Sequence, residues 1–90
     1  MIICSAIKFT FININNEEVS EIVLGYRHCD CLYIWGKYIK PTCKHKVQEI
    51  QGFMTNTGEF LDRVSARLHF IKCNQGIPEF PDELYSEDLY

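Results

Sequence analysis

Glu49 to Thr55 has the composition of a strand, and Asn56-Thr57-Gly58 directly after it is a turn signal between two apolar runs. A short return strand, Glu59 to Leu61, then meets Asp62, whose carboxylate suits the free N–H groups at a helix start. From there Val64, Leu68 and Ile71, and more loosely Phe70, recur at helical spacing, which predicts a helix with one apolar face. Its end is expected near Asn74-Gln75-Gly76, with Gly76 as the left-handed stop. A hairpin thus feeds straight into an amphipathic helix, and the rest of the chain has to accommodate that unit.

Upstream, Ile2 to Ile14 is rich in Ile and Phe and reads as a long first strand, with Ile7, Phe9 and Phe11 on one side. Asn13 to Glu18 is a polar turn, Val19 to Leu24 a second strand, and Gly25 breaks it. Between Tyr26 and Ile39 the apolar positions Cys31, Leu32, Trp35, Tyr38 and Ile39 fall three and four apart, which predicts a helix ending before Pro41. Pro41 to Val47 is expected to be a basic loop holding Lys44, His45 and Lys46. The order ββαββα with short connections implies an α+β domain, a small antiparallel sheet with two helices on one face. Residues 1–76 form that single domain in this reading, and residues 77–90 an acidic C-terminal tail.

Ninety residues bury only about 60% of their unfolded surface, yet 47% of this chain is apolar, with six Phe and five Tyr. That surplus points to apolar surface kept for a partner, most simply a second copy. The net charge of −3 excludes a general affinity for long nucleic acid. Five of the twelve acids (Glu79, Asp82, Glu83, Glu87, Asp88) lie in the tail, which has no base. Seven acids then face nine bases in residues 1–76, so the body is mildly basic, at +2. No targeting or membrane segment is expected, since the apolar start, Met1 to Thr10, is short and contains Lys8. Five cysteines, an odd number, read as reduced thiols in a cytosolic protein.

Arg63 and Arg67, four apart on the second helix, are the most informative pair. Like charges at that spacing repel by about 0.2–0.5 kcal/mol, and Arg63 sits at the positive end of the helix dipole. The arrangement gains once an oxyanion binds, although a carboxylate from Asp62, Glu59 or the tail would neutralise it equally well. Arg27 and His28 repeat the logic at the start of the first helix, and two such starts could flank a multiply charged ligand. Phe53, Tyr26 and Trp35 offer faces for a purine, and each also suits a core.

His28, Cys29, Cys31, Cys43 and His45 gather soft ligands within eighteen residues. Cys29 and Cys31, two apart on a helix, diverge, so their spacing argues against the four convergent ligands that zinc needs. No third group fixes a Cys–His nucleophile, and no glycine-rich phosphate loop or paired-carboxylate motif is present; neither catalytic residues nor a cofactor are expected.

The segments G-Y-R-H-C-D-C at 25–31, Q-G-F-M-T-N-T-G-E-F-L-D-R-V-S-A-R at 51–67 and L-Y-S-E-D-L-Y at 84–90 resemble a family of small bacteriophage proteins. The pattern is similar to the first described type of Thoeris anti-defence protein, a non-enzymatic sponge for signalling nucleotides. The resemblance implies an oligomer of packed dimers that traps cyclic ADP-ribose isomers, with some members holding cyclic trinucleotides in separate sites where arginines from related chains meet. By position it implies ligand contacts at Arg63, Arg67, Arg27, His28 and Phe53. The chain is shorter than the family's usual form, and its loop between Ile39 and Glu49 is brief.

The function expected from the sequence is therefore sequestration, without turnover, of a cyclic nucleotide immune signal in the host bacterial cytoplasm by a homodimer or larger homo-oligomer. Two alternatives stand beside it. One is a phage protein that inhibits a host protein by direct binding through exposed apolar surface. The other is a small zinc-binding module using Cys29, Cys31, Cys43 and His45.

Overall fold

A computed structural model of the protein describes residues 1–89. Four strands form one antiparallel sheet in the order β2-β1-β3-β4: β1 is Ile2–Asn13, β2 Glu18–Gly25, β3 Cys43–Thr55 and β4 Phe60–Asp62. Helix α1, His28–Ile34, follows β2, and helix α2, Arg63–Lys72, follows β4. The fold is the α+β arrangement ββαββα. At the hairpin, Gly58 takes a φ of +84°, and its N–H donates to Thr55 O at 3.1 Å, closing a tight turn.

Period-two alternation decides which face of the sheet is covered. Ile7, Phe9 and Phe11 of β1 share a face, and all three are buried with Val23, Cys31 and Trp35. Trp35 stacks on Phe9 with ring centroids 4.3 Å apart and meets Phe11 edge-on. Ser5 lies on the same face and pairs with Phe53 across β3, so the second cluster, Ile2, Phe53, Ala66, Phe70 and Leu84, continues the same layer. Both helices therefore cover one side. The opposite side, where Ile22 and Leu24 flank Lys8 and Ala6, has no helix over it; Ile22 and Leu24 are 44% and 45% exposed.

Three local expectations are corrected. The first helix does not run uniformly from Tyr26 to Ile39: α1 covers seven residues, Trp35–Ile39 widens into a π-helical turn, and Lys40–Thr42 closes it as a 3-10 turn. Gly36 and Pro41 explain this, since one is a weak helix former and the other cannot donate the next N–H. The segment expected as a basic loop, Pro41 to Val47, is strand from Cys43 onward. β1 is long enough to pair with it as far as Asn13, with a bulge opposite Thr10 and Phe11. The stop of α2 is made by Asn74 at φ +53° rather than by Gly76. Gly76 instead packs on Phe70, where an added Cβ would meet the ring at 2.9 Å.

The orientation of α2 is the largest departure. Asp62 caps it as its side chain predicts, accepting from Ser65 N at 2.8 Å. Its buried residues are Ala66 and Phe70, while Val64, Leu68 and Ile71 face outward at 52%, 62% and 42% exposure. Leu84 causes the rotation. It is fully buried in one cluster with Phe53 and with Ala66 and Phe70 of α2. The segment after Ile77 is thus packed on the body as far as it is described, and Tyr90 lies outside the described residues.

Candidate functional site

α1 and α2 start near each other because β2 and β4 deliver the chain to the same end of the covered face. Arg27 precedes α1 as its N-cap, and its N–H donates to Asp30 Oδ2 at 2.9 Å. His28, one residue on, turns inward against β3, where its Nε2 lies 2.7 Å from Gly52 O. A carbonyl only accepts, so Nε2 carries the hydrogen and Nδ1 is left as an acceptor. Ser86 Oγ lies 3.0 Å from Nδ1, and Ser5 Oγ lies 2.7 Å from Ser86 Oγ. Burial pushes the His28 pKa down, with Arg63 adding to the effect, while the Gly52 bond and Glu87 oppose it. The imidazole is therefore neutral at pH 7. Gly52 is required at this point: a Cβ there would lie 2.0 Å from Leu61 O and force β4 off β3.

Arg63, the first residue of α2, reaches across to the segment after Ile77. Its Nη1 donates to Leu84 O at 3.0 Å and its Nη2 to Gln51 Oε1 at 2.6 Å, with His28 Nδ1 3.4 Å from the same Nη2. The guanidinium lies over the Tyr85 ring, 4.5 Å from its centre. Leu84 N donates back to Arg63 O at 3.0 Å. Arg67, one turn further on, donates through Nε to Phe80 O at 2.9 Å. Both arginines thus bind backbone carbonyls, and among the described residues neither has a carboxylate within salt-bridge distance. Arg27 does, with Glu87 at 3.8 Å.

Arg27, His28, Cys29, Arg63, Tyr85, Ser86 and Glu87 line one cleft of about 230 Å³. On the other side of Arg63 is a wider hollow of about 490 Å³. Glu49, Asp62 and Glu83 are among its walls, so it is the poorer place for an anion despite its size. Of the five residues expected to touch ligand, the fold brings Arg27, His28 and Arg63 together. Arg67 sits outside the cleft. Phe53 is fully buried and meets His28 edge-on at 5.1 Å, so no face of its ring is open for stacking. Tyr85, Ser86, Ser5 and Gln51 were not singled out from sequence. The S-E-D-L run at 86–89 was the available signal, since Ser86 opens it.

Among the described residues no group of three or more His, Cys, Asp or Glu is placed to hold a metal ion. Cys29 is exposed and Cys31 buried, on diverging sides of α1. Burial pushes the Cys31 thiol up to about 11, so it packs as a neutral group. No described helix is long and apolar enough to cross a membrane. Comparison with curated proteins and with solved structures yields no match. One family model matches residues 1–90, and on that match the chain belongs to the phage T4 y16D protein family.

Proposed function

We propose that this phage protein is a non-catalytic sponge that binds a small anionic cyclic nucleotide in the infected host's cytoplasm and so withholds an immune signal. The finer ligand classes are those implied by the resemblance to Thoeris anti-defence proteins, cyclic ADP-ribose isomers and cyclic oligonucleotides. The observation that carries the reading is the convergence of Arg27, His28 and Arg63, from two helix starts, on one cleft floored by Tyr85. The cleft is positive in a chain whose net charge is −3. An incoming phosphate can replace neutral carbonyls as the partner of Arg63, and a charged acceptor is the stronger one.

At about 230 Å³ the cleft suits one phosphoryl group better than a whole nucleotide, since small-molecule pockets run roughly 300–1,000 Å³. A second copy closing over it would supply the rest. The uncovered Ile22 and Leu24, together with the outward Val64, Leu68 and Ile71, provide apolar surface for such a homo-oligomer. The same α2 stripe supports the second reading, inhibition of a host protein by direct binding.

Thermal unfolding with a panel of cyclic ADP-ribose isomers and cyclic trinucleotides tests the proposal. A ligand at a hundred times its Kd stabilises by about 2.7 kcal/mol, roughly 10–20 °C for a domain of this size. Arg27→Ala should abolish the shift. If no member of the panel moves the melting temperature, the sponge reading fails. A host protein whose capture is lost in Leu68→Asp would then favour the second reading.

A further inference from the structure

We propose that His28 sets the charge class the cleft accepts: a phosphodiester binds with His28 neutral, whereas a phosphomonoester dianion binds only with uptake of a proton on His28 Nδ1. The inference rests on the anion-binding reading of the cleft and goes beyond it.

The charges that line the cleft are Arg27, Arg63 and Glu87, which leave +1 while His28 is neutral. One phosphodiester carries one negative charge and matches that balance. A terminal phosphate, whose second ionisation lies near 6 by analogy with phosphoserine, brings about two charges at pH 7.5 and leaves one uncompensated.

His28 is the group able to supply the difference, because its hydrogen-bond chain can run in either direction. With Nε2 donating to Gly52 O, the neutral ring accepts at Nδ1 from Ser86, and Ser86 accepts from Ser5. When Nδ1 gains a proton it donates to Ser86, Ser86 donates to Ser5, and Ser5 turns to Tyr26 O, 3.3 Å away. The His28, Ser86 and Ser5 side chains each keep a hydrogen-bond partner in both states.

Burial opposes protonation first, and Arg63 adds to it. Its Nη2 lies 3.4 Å from Nδ1 and presents a donor and a like charge to it. An anion that draws the guanidinium toward the cleft mouth removes that donor and that charge at once. The other groups facing the ring are Glu87 and Tyr85 from the C-terminal segment, Ser5 from β1, Gly52 O and the edge of Phe53 from β3, and Arg27 before its own helix. Glu87 is the only carboxylate among them, and it faces Arg27.

The test uses the full chain with cyclic triadenylate and with the ring-opened, 5′-phosphorylated triadenylate. Calorimetry at pH 7.5 in buffers of different ionisation heat counts protons, and 15N spectra of the histidines show where they go. The cyclic ligand should bind with no net proton uptake and with flat affinity between pH 6.5 and 8. The linear ligand should take up to one proton, lose up to tenfold in affinity per pH unit as pH rises, and convert the His28 Nδ1 signal to the protonated form. His28→Gln, which keeps a donor for Gly52 O, should flatten that slope; the spectra of the parent protein decide the matter if the variant does not fold. Linear ligand bound with Nδ1 unprotonated, or cyclic ligand bound with a proton taken up, overturns the inference and leaves the cleft reading standing. If neither triadenylate binds, the inference is overturned, and if cyclic ADP-ribose isomers also fail, the cleft reading falls with it.

Discussion

Replacing Arg63 with alanine separates a side chain held ready for ligand from one that also holds the fold together. The guanidinium donates to Leu84 O at 3.0 Å and to Gln51 Oε1 at 2.6 Å, and it lies 4.5 Å over the Tyr85 ring. A hydrogen bond to a charged group is worth about 1.5–3 kcal/mol, with the low end fitting a half-buried site, and an exposed cation–π contact about 0.5–1 kcal/mol. Against this loss stands relief. Arg67 one turn away repels Arg63 by about 0.2–0.5 kcal/mol, and a cation at a helix N-terminus costs about 0.3–1 kcal/mol. With both bonds counted at the low end, the balance is a net destabilisation of about 2–3.5 kcal/mol, or roughly 8–28 °C in melting temperature. Hydrogen exchange should localise it. The Leu84 amide, bonded to Arg63 O, should lose protection first, because the segment after Ile77 is released before the sheet opens. Thermal unfolding with residue-resolved exchange is the assay. An unchanged or raised melting temperature with Leu84 still protected would refute the account and return Arg63 to the role of a strained residue awaiting an anion.

Two further outcomes are expected. His28 is depressed in the folded state and near 6.5 when unfolded, so the unfolded chain binds the extra proton. Its contribution to stability is present above about pH 6.5 and is lost as pH falls toward the folded value. Denaturant unfolding from pH 7.5 to 5.5 should show this decline, and a slope identical in His28→Gln would assign it elsewhere. Iodoacetamide on the native protein should modify Cys29 and Cys73, both exposed, well before Cys31, whose thiol is buried and pushed up to about 11. Peptide mapping that finds Cys31 labelled as fast as Cys29 would contradict its placement.

The fold was legible at several strong local signals. The Asn56-Thr57-Gly58 turn, the Asp62 cap and the alternation of Ile7, Phe9 and Phe11 each depend on a few neighbouring residues, and each stands as read. Two local readings failed, the Gly76 stop and the unbroken first helix, and the larger departures depended on residues distant in sequence. Cys43 to Val47 looks like a loop because it is polar, and it is strand because β1 runs far enough to pair with it. The facing of α2 is the sharper case. Val64, Leu68 and Ile71 give a better helical stripe than Ala66 and Phe70, yet the latter pair face the core. The deciding residue, Leu84, stands in a proline-flanked acidic segment that periodicity rules treat as solvated.

The same distance in sequence hid half of the candidate site. Arg27, His28 and Arg63 announce themselves as cations at helix starts, but their partners Leu84 O, Tyr85 and Ser86 all come from the C-terminal segment. Under the proposed function that segment would link stability and binding. Arg63 bonded to Leu84 O holds it down, and Leu84 fixes the rotation of α2 that points Arg63 at His28. A ligand that recruits Arg63 must therefore loosen the contact that positions it. If the cleft takes an anion, part of the attraction goes into replacing the Leu84 carbonyl, so the affinity should be lower than two free guanidinium groups around one phosphate would give. A chain in which Gln51 alone steadied Arg63 would bind more tightly and fold less securely. Oligomerisation resolves the conflict if the neighbouring copy covers the segment, because its docking then no longer depends on Arg63.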